Sequence, residues 1–114
     1  MYSFDITEEQ KSFVDTARKF TRDKIIPAAA ELDEKEQFPD EVYREAHALG
    51  ITNLEVPTEY GGLGLSCLDH CLAVEEVAYG CVAVQTTMTA NMLAAMPLLI
   101  AGTEAQKERY LGML

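Results

Sequence analysis

This sequence predicts an all-α fold: about five helices in an up-and-down bundle with irregular connections. Three observations carry that expectation. Capping boxes stand at Thr7-Glu8-Glu9-Gln10 and Thr103-Glu104-Ala105-Gln106, with a Ser-x-x-acid box at Ser66 and Asp69. In each, a hydroxyl can accept from the backbone N–H three residues on while that residue reaches back. Apolar residues then recur at helical spacing. The one strand-like run, residues 51–56, has no partner strand.

The first helix opens at Thr7. Phe13, Ala17, Phe20 and Ala28 share one face, with Val14 and Ile25 on its flank. Lys11, Asp15, Arg18, Lys19, Arg22 and Asp23 lie mostly opposite. Pro27 removes one internal hydrogen bond, so a kink or break is expected there, with the pattern resuming through Leu32. Pro39 and Asp40 open a short second helix. It ends near Gly50, which can take the left-handed conformation. Residues 51–65 read as irregular, with Pro57 and then Gly61-Gly62-Leu63-Gly64. A third helix runs from the Ser66 box to about Gly80. The fourth begins near Val82 and runs to Ala95, where Met96-Pro97 is expected to interrupt it before an apolar turn that ends at Gly102. The last helix starts at Thr103 and continues to the chain end.

The chain has 114 residues, enough for one domain spanning 1–114 and too few for two. A net charge of −10 and a pI near 4.5 argue against nucleic acid, which needs a basic patch, and against an anionic membrane surface. Cys67, Cys71 and Cys81 are odd in number and imply no disulfide framework. The opening Met1-Tyr2-Ser3-Phe4-Asp5 lacks the order of a signal or transit peptide. The protein is therefore expected to start in the cytoplasm, or to be the processed form of a mitochondrial-matrix protein. Residues 77–103 carry no charge. A membrane span needs about 20 mostly apolar residues. Gln85, Thr86, Thr87, Thr89, Asn91 and Pro97 argue instead for a buried helix at the centre of a larger assembly.

Several residue sets invite chemistry. Gln85, Thr86, Thr89 and Leu93 cluster on one helix face, with Ala90 at its edge. Such a face either lines a cavity for an apolar tail or packs on another helix, its threonines bonding back to the preceding turn. The glycine cluster lacks the spacing and the lysine of a phosphate cradle and reads as a tight turn needing positive φ. Cys67, His70 and Cys71 share a face, and His47 could complete four zinc ligands; two small apolar thiols and a histidine are the simpler account, and no metal site is assigned. Glu75 and Glu76 diverge by about 100° and make no catalytic pair. One of them can pair with an arginine, Arg22 and Arg44 being the candidates. Met88, Met92 and Met96 form a soft stripe that suits core packing or contact with a flexible tail.

The segment Pro57-Thr58-Glu59-Tyr60-Gly61-Gly62-Leu63-Gly64-Leu65-Ser66, followed by Glu75-Glu76-Val77-Ala78-Tyr79-Gly80-Cys81, resembles acyl-CoA dehydrogenases. Gln85-Thr86, Asn91, Leu93, Met96-Pro97, Ile100-Ala101-Gly102, Gln106-Lys107 and Tyr110-Leu111-Gly112 are similar to the medium-chain branch. Thr7-Glu8-Glu9-Gln10 and Ile25-Ile26-Pro27-Ala28 fit as well, so the resemblance covers the chain in order. It implies the N-terminal helical domain of a three-domain enzyme whose β and second helical domains are not in this chain. It implies FAD as cofactor, fatty acyl-CoA as substrate, an electron-transfer flavoprotein as partner and a homotetramer. The glutamate base and most flavin contacts belong to the other domains, so no catalytic or cofactor-binding residue is assigned here. What this chain would supply is acyl-chain wall: Gln85, Thr86, Thr89, Ala90 and Leu93. One departure stands out, since the medium-chain branch carries an acid at the position of Thr89 and glycine at that of Ala90. A branched-chain or aromatic acyl-CoA dehydrogenase, and a free-standing helical interaction or lipid-binding module, are the alternatives.

Overall fold

In the computed structural model, residues 4–114 are described; the N-terminal expectation rests partly on Met1, Tyr2 and Ser3, which lie outside them. The Thr7 hydroxyl accepts the Gln10 N–H at 3.1 Å and the Gln10 amide oxygen accepts the Thr7 N–H at 2.9 Å, starting α1 (Glu8–Phe20). The chain then passes through a π turn (Thr21–Ile25) into α2 (Ile26–Glu34) without leaving helical backbone angles. Pro27 therefore does not break the rod. The Ile26 N–H reaches back to the Thr21 carbonyl, one residue further than in an α-helix. Pro27 falls in the first turn of α2, where a missing N–H costs little. Val14 and Ile25, expected on the flank, are buried with Ala17 and Phe20. Beyond the turn the extra residue rotates the helix face, and Ala28 is only partly covered.

Pro39 precedes α3 (Asp40–Ala48). That helix closes as expected at Gly50: the Gly50 N–H bonds His47 O and the Ile51 N–H bonds Ala46 O. Residues 51–65 form no strand. They fold back on themselves through Leu63 N–H to Asn53 O, Gly64 N–H to Val56 O and Leu65 N–H to Leu54 O, with a 3₁₀ turn at Thr58–Tyr60. The apolar run serves the core, since Ile51, Leu54 and Val56 are buried. Ser66 and Asp69 cap α4 (Cys67–Gly80), and Cys81 alone joins it to α5 (Val82–Ala101). Thr103 and Gln106 cap α6 (Glu104–Leu111).

The expected interruption at Met96-Pro97 does not occur; α5 runs through Pro97 as one 20-residue helix. Proline at this position frees the Leu93 carbonyl, four residues back. Leu93 and Pro97 are both exposed, so the freed carbonyl lies on the uncovered side of the helix.

Gln10 Nε2 donates to Asp69 Oδ1 at 2.7 Å and Arg18 Nη2 to Glu76 Oε1 at 2.7 Å, so α1 and α4 run parallel, as alternate members of an up-and-down order do. Arg18 also donates from Nε to Glu76 Oε2 at 3.1 Å. The acid thus pairs with Arg18 rather than with Arg22 or Arg44. Arg18 is the arginine that the α1–α4 register sets beside Glu76; Arg22 lies in the π turn and is exposed, and Arg44 is exposed on α3. The largest core cluster joins Phe20, Ile25, Val42, Ala46, Ile51, Val77, Val84 and Met88, and a second joins Val56, Met92, Ala95 and Leu111.

The domain is a plate, 42 × 42 × 20 Å. Its radius of gyration is 14.9 Å, against about 13 Å for a compact domain of this length. One side of α5 is left uncovered: Val82 is 66%, Leu93 77% and Ile100 80% exposed. This helix is long and apolar enough to cross a membrane by length and composition. Its Val84, Met88, Met92 and Ala95 instead enter the two main cores of the bundle.

Candidate functional site

Helices α4 and α5 form an antiparallel hairpin. A groove of about 660 Å³ runs between them. Its α4 wall is Cys67, Cys71, Val74 and Ala78, and its α5 wall is Gln85, Thr89, Met92 and Met96. Both sets follow the spacing i, i+4, i+7, i+11, one face of a helix. Leu93 and Glu75 extend the two walls, and Glu55 and His70 stand at the end nearest Cys67.

Of the residues singled out in the sequence, Gln85, Thr89 and Leu93 line this groove, and Thr86 and Ala90 do not. The latter two lie one position on from Gln85 and Thr89, about 100° round the helix, and are exposed. The Thr86 hydroxyl donates to the Val82 carbonyl at 2.9 Å, the back-bonding expected of a helical threonine. Thr89 does the same to the Gln85 carbonyl at 3.2 Å, and it accepts from Gln85 Nε2 at 3.1 Å. Two of the groove's polar side chains are thus bonded to each other, while Glu55, His70 and Glu75 also line it. Met92 and Met96 line the groove, Met92 packing also in the second core cluster, whereas Met88 is buried in the first. Cys67 and Cys71 already share a face in the sequence, and Val74 and Ala78, which no motif marks as wall, complete the α4 side at the spacing seen on α5.

At the groove's far end His70 Nδ1 lies 3.3 Å from Glu55 Oε2, both side chains 17% exposed. The Cys67 thiol is pushed above its usual range, first by neighbouring Cys71 and then by Glu55. His47 is elsewhere, its Nδ1 3.1 Å from Thr52 Oγ1. Among the described residues no three histidine, cysteine or acidic side chains converge on a metal position.

The glycine turn is not a phosphate cradle. Its N–H groups are all spent internally: Gly61 to Thr58 O, Gly62 to Pro57 O, Leu63 to Asn53 O and Gly64 to Val56 O. Gly61 and Gly64 take positive φ, and a Cβ on Gly62 would fall 2.0 Å from the Val56 carbonyl oxygen. The pyrophosphate of a flavin dinucleotide therefore finds no free backbone donors in this turn.

Comparison with known proteins places this architecture. The family described as acyl-CoA dehydrogenase, N-terminal domain, matches residues 7–114. The chain belongs to the acyl-CoA dehydrogenase family. This acyl-CoA dehydrogenase N-terminal domain is 44% identical over 112 residues to a probable mitochondrial medium-chain specific acyl-CoA dehydrogenase of Caenorhabditis briggsae, covering 98% of the chain and 28% of that relative. It superposes on butyryl-CoA dehydrogenase from Megasphaera elsdenii with a TM-score of 0.88 and 36% identity, over 97% of this chain and 30% of that one. An acyl-CoA dehydrogenase from Bacillus anthracis, complexed with FAD, gives a TM-score of 0.85 at 26% identity, over 99% of this chain and 19% of that one. The domain therefore spans less than a third of the length of each of these relatives.

Proposed function

We propose that this chain is the first domain of a flavin-dependent enzyme that removes hydrogen from the α and β carbons of a fatty acyl-CoA thioester. On this reading the α4–α5 groove is the domain's share of the acyl-chain pocket. What carries it is the single groove on which Gln85, Thr89 and Leu93 meet Val74, Ala78 and Met96. A saturated tail has nothing to hydrogen bond, and its binding comes from apolar area removed from water, about 0.8 kcal/mol per methylene. Within that wall the Gln85 amide N–H is engaged by Thr89 Oγ1. From Cys67 to Ala78 the wall is about 16 Å long at helical rise.

FAD, when bound, supplies the hydride acceptor. We assign it to the part of the relatives' length that this chain does not span, because the glycine turn has no free donors. An electron-transfer flavoprotein as electron acceptor and a homotetrameric enzyme belong to the same reading.

The test is flavin reduction. The protein made from the complete reading frame should hold FAD, and a straight-chain acyl-CoA should bleach its visible absorbance. The 114-residue chain alone should retain none after purification with added FAD. A loaded enzyme that no straight-chain acyl-CoA bleaches would refute the activity. Retention of FAD by the chain alone, near one per chain, would refute the placement of flavin.

A further inference from the structure

Cys67 and Cys71 stand on one face of α4, one turn apart, and both are free thiols and exposed. Residues i and i+4 on a helix lie about 5–6 Å apart at Cβ. The two thiols interact. Charge repulsion from Cys71 and then a hydrogen bond with it are the leading causes that push the Cys67 thiol above its usual range, and the Glu55 carboxylate comes next. Both thiols line the α4–α5 groove, whose walls also carry Val74, Leu93 and Met96. The third cysteine, Cys81, lines a different cleft, between α2 and the start of α5.

The number and spacing of the donors decide what such a pair takes. A structural zinc needs four ligands, and among the described residues no third histidine, cysteine or acidic side chain converges with the two thiols. His70, the imidazole that lines the groove, is engaged with Glu55. A disulfide needs Cβ atoms about 3.5–4.5 Å apart, closer than a regular helical turn holds them. The wider span suits one soft atom seated between two sulfurs. Arsenic(III) that already carries one organic group bonds two sulfurs and no more. We propose that Cys67 and Cys71 form a chelating site for a monosubstituted trivalent arsenical, whose organic group lies in the apolar α4–α5 groove. In the binding step the arsenic–oxygen double bond and both S–H bonds break and two As–S bonds form. The oxygen leaves with both protons as water, and nothing is oxidised or reduced. The product carries no charge at sulfur, so the Glu55 carboxylate, which disfavours a thiolate at Cys67, does not oppose it. The inference does not depend on the acyl-CoA reading, since it is tested without flavin or thioester.

The experiment uses the 114-residue chain, reduced and free of oxygen, with phenylarsine oxide as the probe, dithiothreitol as the competitor and intact-mass spectrometry as the readout. One phenylarsenic group should add per chain with loss of two hydrogens, and Cys81→Ser should leave this unchanged. A second bond made within one molecule strengthens binding by about 10²–10⁴-fold, so Cys67→Ser and Cys71→Ser should each weaken retention against dithiothreitol by that factor. Circular dichroism should be unchanged in all three variants. Burial of the ring in the groove should make the folded chain prefer phenylarsine oxide to methylarsine oxide by about tenfold more than the urea-unfolded chain does. Retention undiminished in Cys67→Ser or Cys71→Ser, or lost in Cys81→Ser, would overturn the chelating pair. An equal preference in the folded and unfolded chains would overturn the placing of the organic group in the groove.

Discussion

Gly80→Ala places a methyl group where α4 passes closest to the π turn. Its Cβ would lie 2.5 Å from Thr21 Cγ2, 3.2 Å from Ile25 Cγ2 and 3.3 Å from Ile26 Cγ1. Thr21 is 1% and Ile25 0% exposed, so neither can swing into solvent. Thr21 is also β-branched and stiff at χ1. Overpacking of this kind costs about 1–3 kcal/mol. Alanine recovers at most about 1 kcal/mol of helix propensity over glycine, and less here because Gly80 is the last residue of α4. The net loss is about 1–2 kcal/mol, which for a domain of this size lowers Tm by about 4–8 °C. The assay is thermal and urea unfolding followed by circular dichroism. Thr21→Ser deletes the methyl at 2.5 Å and should restore part of the loss in the double variant. A Gly80→Ala chain as stable as the parent would refute the close-packed crossing. So would a double variant no better than Gly80→Ala alone.

Two further predictions concern the cap of α4 and the bare side of α5. The Ser66 hydroxyl first, then the Gln10 amide and the Ser66 backbone N–H, hold the Asp69 carboxyl below its usual value of 3.8. A depressed folded pKa adds stability above the unfolded value and loses it as pH falls through the folded one. Asp69→Asn should therefore lower Tm at pH 6 and progressively less towards pH 3; a deficit that stays constant with pH would contradict this. The 114-residue chain should bind a hydrophobic dye or self-associate through the face that exposes Val82, Leu93 and Ile100, and Ile100→Glu should reduce both. A monomer that binds no dye would show that this face is not adhesive.

Much of the fold was legible in the sequence, because local chemistry dictates it. Three capping boxes mark three helix starts to the residue, and Gly50 marks a helix end. The two prolines misled for one reason. Proline's local cost is fixed, but its effect depends on where the orphaned carbonyl points, and that is a tertiary fact. At Pro27 a π turn absorbs the defect, and at Pro97 the uncovered side of α5 tolerates it. The partner of Glu76 was hidden because it depends on the register of α1 against α4, which is set across 58 residues of chain. Half of the groove was legible on the same terms. Spacing on α5 gathered Gln85, Thr89 and Leu93, but only the α4–α5 hairpin shows that Thr86 and Ala90 turn away and that Val74 and Ala78 complete the wall.

The acyl-tail assignment of the groove is tested most directly at Thr89, whose side chain lines it. In the enzyme made from the complete reading frame, Thr89→Glu adds bulk and a charge to the wall. Each methylene it displaces from the groove loses about 0.8 kcal/mol, about fourfold in kcat/KM. Measured against a ladder of straight-chain acyl-CoAs, kcat/KM should fall most for the longest chains and hardly at all for the shortest, moving the optimum to shorter substrates. An unchanged profile, or an equal loss at every length, would show that Thr89 only packs and that the tail does not run between α4 and α5.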